Sequence, residues 1–394
     1  MPDQRPRLST RDLIGPVLVF FGALLVAVAF AVGPLVADGL RKVPLSVDQT
    51  WVSDGADGAR ALDRCSLQAP QARVLEARIQ QQRRVVAVRP ADADIVTLQA
   101  GTALGIDEYL IDGRPVDTED TCDETTITAM VDRVTLNRRT ASPTGNSEVQ
   151  YDDERAATVI DDRRGYTYLL PFGFDADRAE YFDPVTRQTL PMTPTGSESM
   201  GGRDVIRFSV TVPLTDLGAT EQDPRAVITK PARWFGRFPG VRPTDELTAT
   251  LQHRAQRELF VDTATGVLVA ERAEISEVFR FTPDLRERNR VLADFALTNL
   301  EVTLSPDRQT VRESAEYASS RAWPVTVTTR VVPLVAGVLG AVLLVIGGWV
   351  LVRSGRRTQP PDTDSSGSGA EQDAPDPERP HGAPPTTPTG PRTD

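Results

Sequence analysis

The chain has 394 residues, of which 25% are charged, and its formal net charge is −11 at pH 7. This acidic balance argues against nucleic-acid binding, because phosphates require a basic surface and the sequence contains no block of Lys or Arg. Lysine occurs only at Lys42 and Lys230, so almost every basic residue is arginine, and this bias suggests a GC-rich genome such as that of an actinobacterium.

The first predicted element is a transmembrane helix over residues 13–37. These 25 positions contain no charged residue, and about 20 apolar residues are enough to cross a bilayer core of roughly 30 Å. Residues 1–12 then form a short cytoplasmic N-terminus that carries Arg5, Arg7 and Arg11. A cleaved signal peptide is the alternative, but the apolar run is about twice as long as a signal core, which favours an uncleaved anchor.

Residues 38–330 are predicted to form one large extracytoplasmic domain. This domain contains Cys65 and Cys122, the only two cysteines of the chain. Disulfides persist in oxidising compartments, so a pair confined to an exported segment predicts a disulfide, which would stabilise the domain by about 4 kcal/mol. Two unrelated buried thiols are the alternative.

Most of this domain has the two-residue hydrophobic period of half-buried strands. The clearest case is a β-hairpin, in which alternating residues 247–261 and 267–281 flank the turn sequence D-T-A-T-G. The same period predicts shorter strands at residues 85–88, 95–98, 131–136, 157–160, 167–170, 205–212 and 295–304. The predicted fold class is therefore mainly β, an antiparallel β-sandwich or curled sheet flanked by two transmembrane helices.

Few side chains in the domain suggest catalysis. Its single histidine, His253, lies on the apolar face of a predicted strand, where a structural role is more common than a catalytic one. The sequence has no H-E-x-x-H, G-x-S-x-G or Walker motif, so we expect no enzymatic activity, no cofactor and no metal. The carboxylates between Asp107 and Glu124 fail the EF-hand spacing and predict a solvated acidic loop, with an irregular Ca²⁺ site as the alternative.

One short segment combines three aromatic residues with two arginines. It contains Arg233, Trp234, Phe235, Arg237 and Phe238. Aromatic and basic residues together suit the headgroup region of a membrane or an anionic glycolipid, so the segment predicts lipid or membrane contact. The alternative is a loop whose aromatic residues cap the core of the sheet.

The chain returns to the membrane near its C-terminus. A helix is predicted over residues 305–323, with Ser305 as N-cap and Pro306 in the first turn, and it leads into a second transmembrane helix over residues 331–352. Residues 353–394 are rich in Pro, Ser, Thr and Asp, which predicts a disordered cytoplasmic tail. The arginines that flank the spans place both termini in the cytoplasm and the domain outside the inner membrane.

Three groups of residues resemble the porin PorA-like family of actinobacterial membrane proteins, which includes the mycobacterial polar growth factor A. They are residues 170–172 with 181–183 and 202–208, then residues 261–267, and finally residues 137–140, where Asn137 stands in place of an expected Asp. These are turn and strand signatures, so they indicate kinship rather than a reaction. The resemblance implies a role in building a mycolic-acid envelope and glycolipid handling outside the inner membrane, and the family name implies a pore.

The sequence predicts a non-enzymatic, membrane-anchored protein that binds or handles a lipid in an apolar groove. The resemblance implies that the protein acts in the cell envelope and that this lipid is of the mycolate type, such as a glycolipid. The alternatives are a porin-like or channel subunit and a scaffold for envelope or lipid-transport machinery. The expected partners are the bilayer, an envelope glycolipid and a lipid transporter or envelope-assembly protein. Two spans without charged residues provide no polar pathway, so a channel would require several copies.

Overall fold

The computed structural model describes residues 10–115, 125–152, 154–220 and 223–355, which hold 16 strands and six α-helices. The strands are β1 (Asp48–Gly55), β2 (Arg60–Leu62), β3 (Val74–Ala91), β4 (Ile95–Ile111), β5 (Arg114–Pro115), β6 (Thr126–Asn137), β7 (Ser147–Gln150), β8 (Thr158–Ile160), β9 (Glu180–Asp183), β10 (Gln188–Pro191), β11 (Thr193–Met200), β12 (Arg203–Asp216), β13 (Val227–Pro231), β14 (Glu246–Asp262), β15 (Leu268–Phe281) and β16 (Leu297–Pro306). The helices are α1 (Thr10–Leu40), α2 (Ala232–Phe235), α3 (Pro283–Arg288), α4 (Arg290–Ala293), α5 (Arg308–Thr326) and α6 (Val332–Gly355), and a π-helical turn, Val327–Val331, joins α5 to α6. Most of the predicted N-terminus and tail lies outside the described residues.

Fourteen of these strands form one large sheet. Its order is β11-β12-β14-β15-β16-β1-β3-β4-β6-β7-β8, with β13 paired to β14, β5 paired to β4, and β2 lying between β16 and β3 beyond the end of β1. Every pairing in it is antiparallel, and β9 and β10 form a separate two-stranded sheet. The mainly β fold class with apolar helices at both ends is confirmed.

The long hairpin predicted from the hydrophobic period is formed by β14 and β15. Odd-numbered residues of β14 are buried from Leu247 to Val261, as one half-buried face requires. The turn depends on Gly266, which has a φ of 72° and lies directly against the carbonyl of Leu170. A Cβ atom at this position would overlap that carbonyl, so the close approach of the two segments requires glycine.

Two local predictions were wrong. Residues 167–170 form no strand and make only an isolated bridge, because Tyr168, Leu169 and Leu170 are all buried and do not alternate between two faces. The helix predicted over residues 305–323 is α5, and it begins three residues later. The preceding residues complete β16, and Asp307 is the N-cap, since its Oδ1 accepts the Thr310 N–H at 2.6 Å.

The segment 161–192 fills the inner face of the large sheet. Its Tyr181 and Leu190 share one apolar cluster with Ile79 and Leu104 from one half of the sheet and with Phe208 from the other half. Strands that are far apart in the sheet order therefore pack on the same inserted segment. Side chains of this segment therefore occupy the space beside the inner face of the sheet.

Helices α1 and α6 pack against each other as an antiparallel pair, and both are long and apolar enough to cross a membrane. Glycines form the contact: a Cβ atom on Gly22 would lie 2.9 Å from the Gly340 carbonyl oxygen, and one on Gly340 would lie 2.8 Å from the Gly22 oxygen. Gly347 lies equally close to the backbone of Val19. Small residues at such an interface let two helix backbones approach closely. We call α1 and α6 the helix pair.

Candidate functional site

Most of the segments that carry the family resemblance meet at the end of the sheet that contacts the helix pair, whereas residues 181–183 lie in the core. The turn between β14 and β15 lies here, and the Leu170 N–H donates to the Gly266 carbonyl at 2.8 Å. Arg203 donates to both carboxylate oxygens of Asp262, at 2.8 and 3.2 Å. The sequence indicated only kinship for these segments, and the structure brings them together. We call this end the junction, formed by residues 37–43, 137–141, 170–172, 201–204, 262–267 and 315–321.

Two arginines in the junction hold the exit of α1 through main-chain carbonyls. Arg138 Nε donates to the Val43 carbonyl at 2.8 Å, and Arg321 Nη2 donates to the Lys42 carbonyl at 3.3 Å. The guanidinium of Arg321 also stacks on the ring of Phe172, 4.7 Å from its centroid. These contacts tie the first apolar helix to α5 and to the sheet, so the junction fixes how the sheet stands on the helix pair.

Asn137, which stands where the family pattern has Asp, forms the hydrogen bonds of a turn. Its Oδ1 accepts the N–H groups of Arg139 and Thr140, at 2.9 and 3.1 Å. An aspartate carboxylate would accept the same two hydrogen bonds, and Asn and Asp both favour such turns for this reason. The departure from the expected residue therefore leaves the local backbone unchanged.

The aromatic segment lies in the core of the sheet. Trp234 and Phe235 are only 2% and 8% exposed, and Trp234 Nε1 donates to the Ser66 carbonyl at 2.7 Å. Phe235 makes edge contacts with Phe281 and Phe295, whose ring centroids lie 5.0 and 5.6 Å away. This placement matches the alternative interpretation, in which the aromatic residues cap the core.

The position of this segment does not fit contact with the bilayer that would hold the helix pair. The segment adjoins the start of β14, whereas the junction lies at the end of that strand. The 17 residues of β14, at about 3.3 Å each, separate the two ends by roughly 50 Å. Phe238 is half-buried and packs on the same rings, and only Arg233 and Arg237 are exposed. Lipid contact by these two arginines stays a prediction.

A second candidate site, which the sequence analysis missed, lies on the inner face of the sheet. It is a set of largely buried ion pairs from both halves of the sheet and from the inserted segment. We call it the ion-pair core, and it contains Arg83, Arg163, Arg225, Arg257, Asp132, Asp183, Asp223, Glu271 and Glu277, together with His253 and Asn299.

One part of the ion-pair core surrounds Asp132 on β6. Arg163 donates to both of its carboxylate oxygens, at 2.6 and 2.9 Å, and the Tyr168 hydroxyl donates to it at 2.5 Å. The guanidinium of Arg163 stacks on Phe182, 4.2 Å from the ring centroid. Burying both charges costs desolvation free energy, and a bidentate pair offsets this cost only when the carboxylate and the guanidinium have their hydrogen-bond partners.

The middle of the ion-pair core is a chain of alternating charges. Glu271 accepts hydrogen bonds from Arg83 and from Arg257, each at 2.7 Å, and Arg257 also pairs with Asp183 at 3.1 Å. Burial alone would raise the pKa of Glu271, but the charges and hydrogen bonds of the two arginines outweigh it and lower the pKa to about 2.

The third part is centred on Glu277. Its carboxylate contacts His253 Nδ1 at 3.0 Å, the Asn299 amide at 2.6 Å and Arg225 at 3.3 Å. Burial opposes ionisation here as well, yet Arg225, with the hydrogen bond and charge of His253, lowers the pKa of Glu277 to about 2. His253 is thus part of a buried hydrogen-bond network around Glu277.

A sequence signal for the ion-pair core existed but was ambiguous. Arg257 lies at an odd position of β14, on the otherwise apolar face, and Glu271 and Glu277 lie on the buried face of β15. Charged residues on a buried face predict paired charges, because unpaired ones are too costly. The partners could not be identified, since Arg83 is 188 residues from Glu271 in the chain.

Neither of two depressions in the domain matches the apolar groove that the sequence predicted. An open depression of about 600 Å³ lies on the outer face and is lined largely by polar groups, including Asp57, Arg254, Gln256, Glu274 and Glu301. A cavity inside the sheet has only about 50 Å³, against roughly 300–1,000 Å³ for ligand pockets. The larger depressions within the described residues therefore include no apolar groove suited to an acyl chain.

The disulfide predicted between Cys65 and Cys122 stays a prediction. Cys65 is not a free thiol, but Cys122 lies outside the described residues, as do residues 116–124 of the acidic loop in which it stands. Among the residues that the structure describes, no three His, Cys, Asp or Glu side chains are arranged to hold a metal ion.

Comparison with known proteins identifies the family. The family model for porin PorA matches residues 14–349, which include the sheet, the junction and nearly all of the helix pair. A porin PorA from Corynebacterium amycolatum is 23% identical over 394 residues, covering 85% of this chain and 97% of the relative. A porin PorA from Corynebacterium resistens is 30% identical over 147 residues, covering 35% of this chain and 33% of the relative. The chain belongs to the porin PorA family.

Proposed function

We propose that the protein is a non-enzymatic, membrane-anchored envelope protein with a porin-type role, in which several copies together form the passage. The observation that carries this proposal is the family match over residues 14–349, because it includes the elements that would cross the membrane as well as the sheet. The two relatives described above are themselves named porin PorA. Of the functions considered, this one agrees best with the comparisons.

The geometry of one copy explains why several copies are invoked. The helix pair is in backbone contact at Gly22 and Gly340, and residues 13–37 and 331–352 contain no charged side chain. The interior of the sheet is occupied by the inserted segment and the ion-pair core, with a cavity of only about 50 Å³. A polar pathway therefore has no room in the described part of a single copy, and we place it between copies.

We further propose that the sheet lies outside the cytoplasm, that both termini are cytoplasmic and that the inner membrane holds the helix pair. The support is the distribution of arginines around the two apolar runs, since positive residues favour the cytoplasmic side. An added protease should digest the sheet in intact spheroplasts and spare a tag on the C-terminus. Digestion of the tag without digestion of the sheet would indicate the opposite orientation.

Lipid or glycolipid handling, the first expectation from the sequence, is the weaker candidate. The depressions described above are polar or too small, and the aromatic segment lies roughly 50 Å from the junction. Association with a lipid transporter or with envelope-assembly proteins remains an expectation as well. The conductance test below distinguishes lipid handling from the porin-type role.

The test is ion conductance of the purified full chain in planar bilayers and in vesicles. A passage between copies predicts that conductance rises more steeply than linearly with the protein-to-lipid ratio. Conductance by vesicles that hold one copy each would contradict the assembly, and no conductance at any ratio would contradict the porin-type role. In that case, native mass spectrometry of the same preparation shows whether a bound lipid supports lipid handling instead.

A further inference from the structure

A small cavity lies where the parts of the ion-pair core meet. It has a volume of about 50 Å³, and its wall includes His253, Arg257, Tyr151 and Thr102. A buried water needs roughly 10–15 Å³ and two to four polar partners. The cavity therefore has room for a small group of waters, and its wall is polar enough to hold them.

Two residues that line this cavity each have a buried side-chain nitrogen with no hydrogen-bond partner among the described residues. These nitrogens are Nε2 of His253 and Nε of Arg257, and the two residues are only 2% and 4% exposed. A buried polar atom without a partner is costly, because it has lost its contacts with water and gained none in return. Both atoms therefore indicate a ligand that forms hydrogen bonds inside the cavity.

The neighbours of His253 determine which kind of hydrogen bond it needs. Glu277 is ionised, because Arg225 and His253 lower its pKa to about 2 against the effect of burial. An ionised carboxylate only accepts hydrogen bonds, so His253 Nδ1, 3.0 Å from Glu277 Oε1, must carry the hydrogen. Nε2 therefore needs a partner in either form of the ring, as an acceptor when the ring is neutral and as a donor when it is charged, and Arg257 Nε is a donor that requires an acceptor.

We propose that this cavity is a hydration site, in which ordered water is the hydrogen-bond partner of His253 Nε2 and accepts from Arg257 Nε. Water is the small ligand that supplies both a donor and an acceptor, and it joins the separate ion pairs into one network. The site is independent of the porin-type role. The cavity is then a hydrated part of the core rather than a packing defect.

The first test fills the cavity. Thr102 is buried, lies on the cavity wall and is replaced by Ile to expel the water, with Thr102→Val as the matched variant that removes only the hydroxyl. If water occupies the site, Thr102→Ile lowers the denaturant midpoint of the full chain below that of Thr102→Val, because two buried nitrogens lose their partners. An unchanged or raised midpoint would mean a dry cavity and would overturn the proposal.

A second measurement separates lost hydration from overpacking, which also destabilises cores. The chain has two histidines, His253 and His381, so ¹⁵N-histidine labelling of the full chain with His381→Ala leaves one labelled imidazole. We expect a hydrogen on Nδ1, a hydrogen-bonded Nε2, and magnetisation transfer from water to the ring protons. A ring without a hydrogen on Nδ1, or one without water contact, would refute the hydration site.

Discussion

The helix pair and the ion-pair core are two interfaces in one chain with opposite compositions. In the helix pair, the closest contact involves Gly22 and Gly340, which have no side chain at all. In the ion-pair core, the contacts involve long charged side chains, such as Arg83 and Arg257 around Glu271. Between apolar helices in lipid, association depends on close backbone packing, whereas a buried charge in the sheet depends on complete pairing. The two regions should therefore respond to different substitutions.

The largest expected effect comes from removing one charge of the ion-pair core. Glu271→Gln leaves Arg83 and Arg257 without their shared carboxylate, and breaking a buried pair in this way costs about 3–5 kcal/mol of unfolding free energy. The matched control is Glu258→Gln, which breaks a 3.8 Å pair with Arg272 whose side chains are 40% and 50% exposed. Surface pairs of this kind contribute about 0–1 kcal/mol.

Denaturant unfolding of the full chain in detergent, followed by tryptophan fluorescence, measures both variants. Equal losses from Glu271→Gln and Glu258→Gln would contradict the distinction between buried and exposed pairs. A stable Glu271→Gln variant would mean that the ion-pair core is not held together by charge.

Acid should destabilise the sheet through the same carboxylates. The pKa values of Glu271 and Glu277 are lowered from 4.5 to about 2, so each contributes stability that is fully present above pH 4.5 and lost as the pH falls from 4.5 to 2. The shift corresponds to an upper estimate of about 3 kcal/mol for each carboxylate. Unfolding free energies measured across this range test the expectation. Glu271→Gln should reduce the slope and Glu258→Gln should not, and an identical slope in all three proteins would contradict it.

The fold was predictable wherever one strong local pattern decided the outcome. Two uninterrupted apolar runs predicted the helix pair, and the two-residue period predicted the β14–β15 hairpin. The start of α5 was not predictable, because Ser305 and Pro306 suit a helix N-terminus by type. Their place was decided by the pairing of β16 with β1, in which Pro306 lies opposite Ser53. Capping rules consider only neighbouring residues and therefore cannot predict a contact between residues about 250 positions apart.

The helix pair should be sensitive to volume rather than charge. Gly340→Ala places a Cβ atom 2.8 Å from the Gly22 carbonyl oxygen and should destabilise the pair by about 1–3 kcal/mol. Gly348→Ala is the matched control, because nothing lies within 4 Å of its Cβ position. In a helix interior, this control substitution is neutral or stabilising by up to about 1 kcal/mol.

Cysteines introduced at Ala29 and Gly337 report on the pair, since a Cβ atom on Gly337 would lie 3.9 Å from the Ala29 Cβ. Their rate of cross-linking should fall in Gly340→Ala and stay unchanged in Gly348→Ala. An equal rate in both would mean that backbone contact at Gly22 does not hold the helices together.

The candidate sites were less predictable than the fold, for a physical reason. Trp234 and Phe235 have the composition of a membrane anchor, but aromatic rings also supply large apolar area to a core. The choice between these roles depends on what surrounds them, here Phe281 at the end of β15 and Phe295 just before β16. Likewise, the turn segments of the junction are far apart in the chain, and they come into contact only because the order of the strands in the sheet places them at the same end.

The smallest expected effect lies in the junction, between the two regions, and it tests what the family resemblance means at Asn137. Asn137→Ala removes the acceptor of two backbone N–H groups, from Arg139 and Thr140, and should cost about 1 kcal/mol, as the loss of a comparable cap does. Asn137→Asp keeps that acceptor and should change the unfolding free energy by less than about 0.5 kcal/mol. Denaturant midpoints of the two variants measure the difference. If Asn137→Asp were as destabilising as Asn137→Ala, the charge of the side chain would matter at this turn and the hydrogen-bond explanation would fail. If neither substitution had an effect, the hydrogen bonds of Asn137 would contribute nothing to the stability of the junction, and its other contacts, such as those of Arg138 and Arg321, would hold the exit of α1.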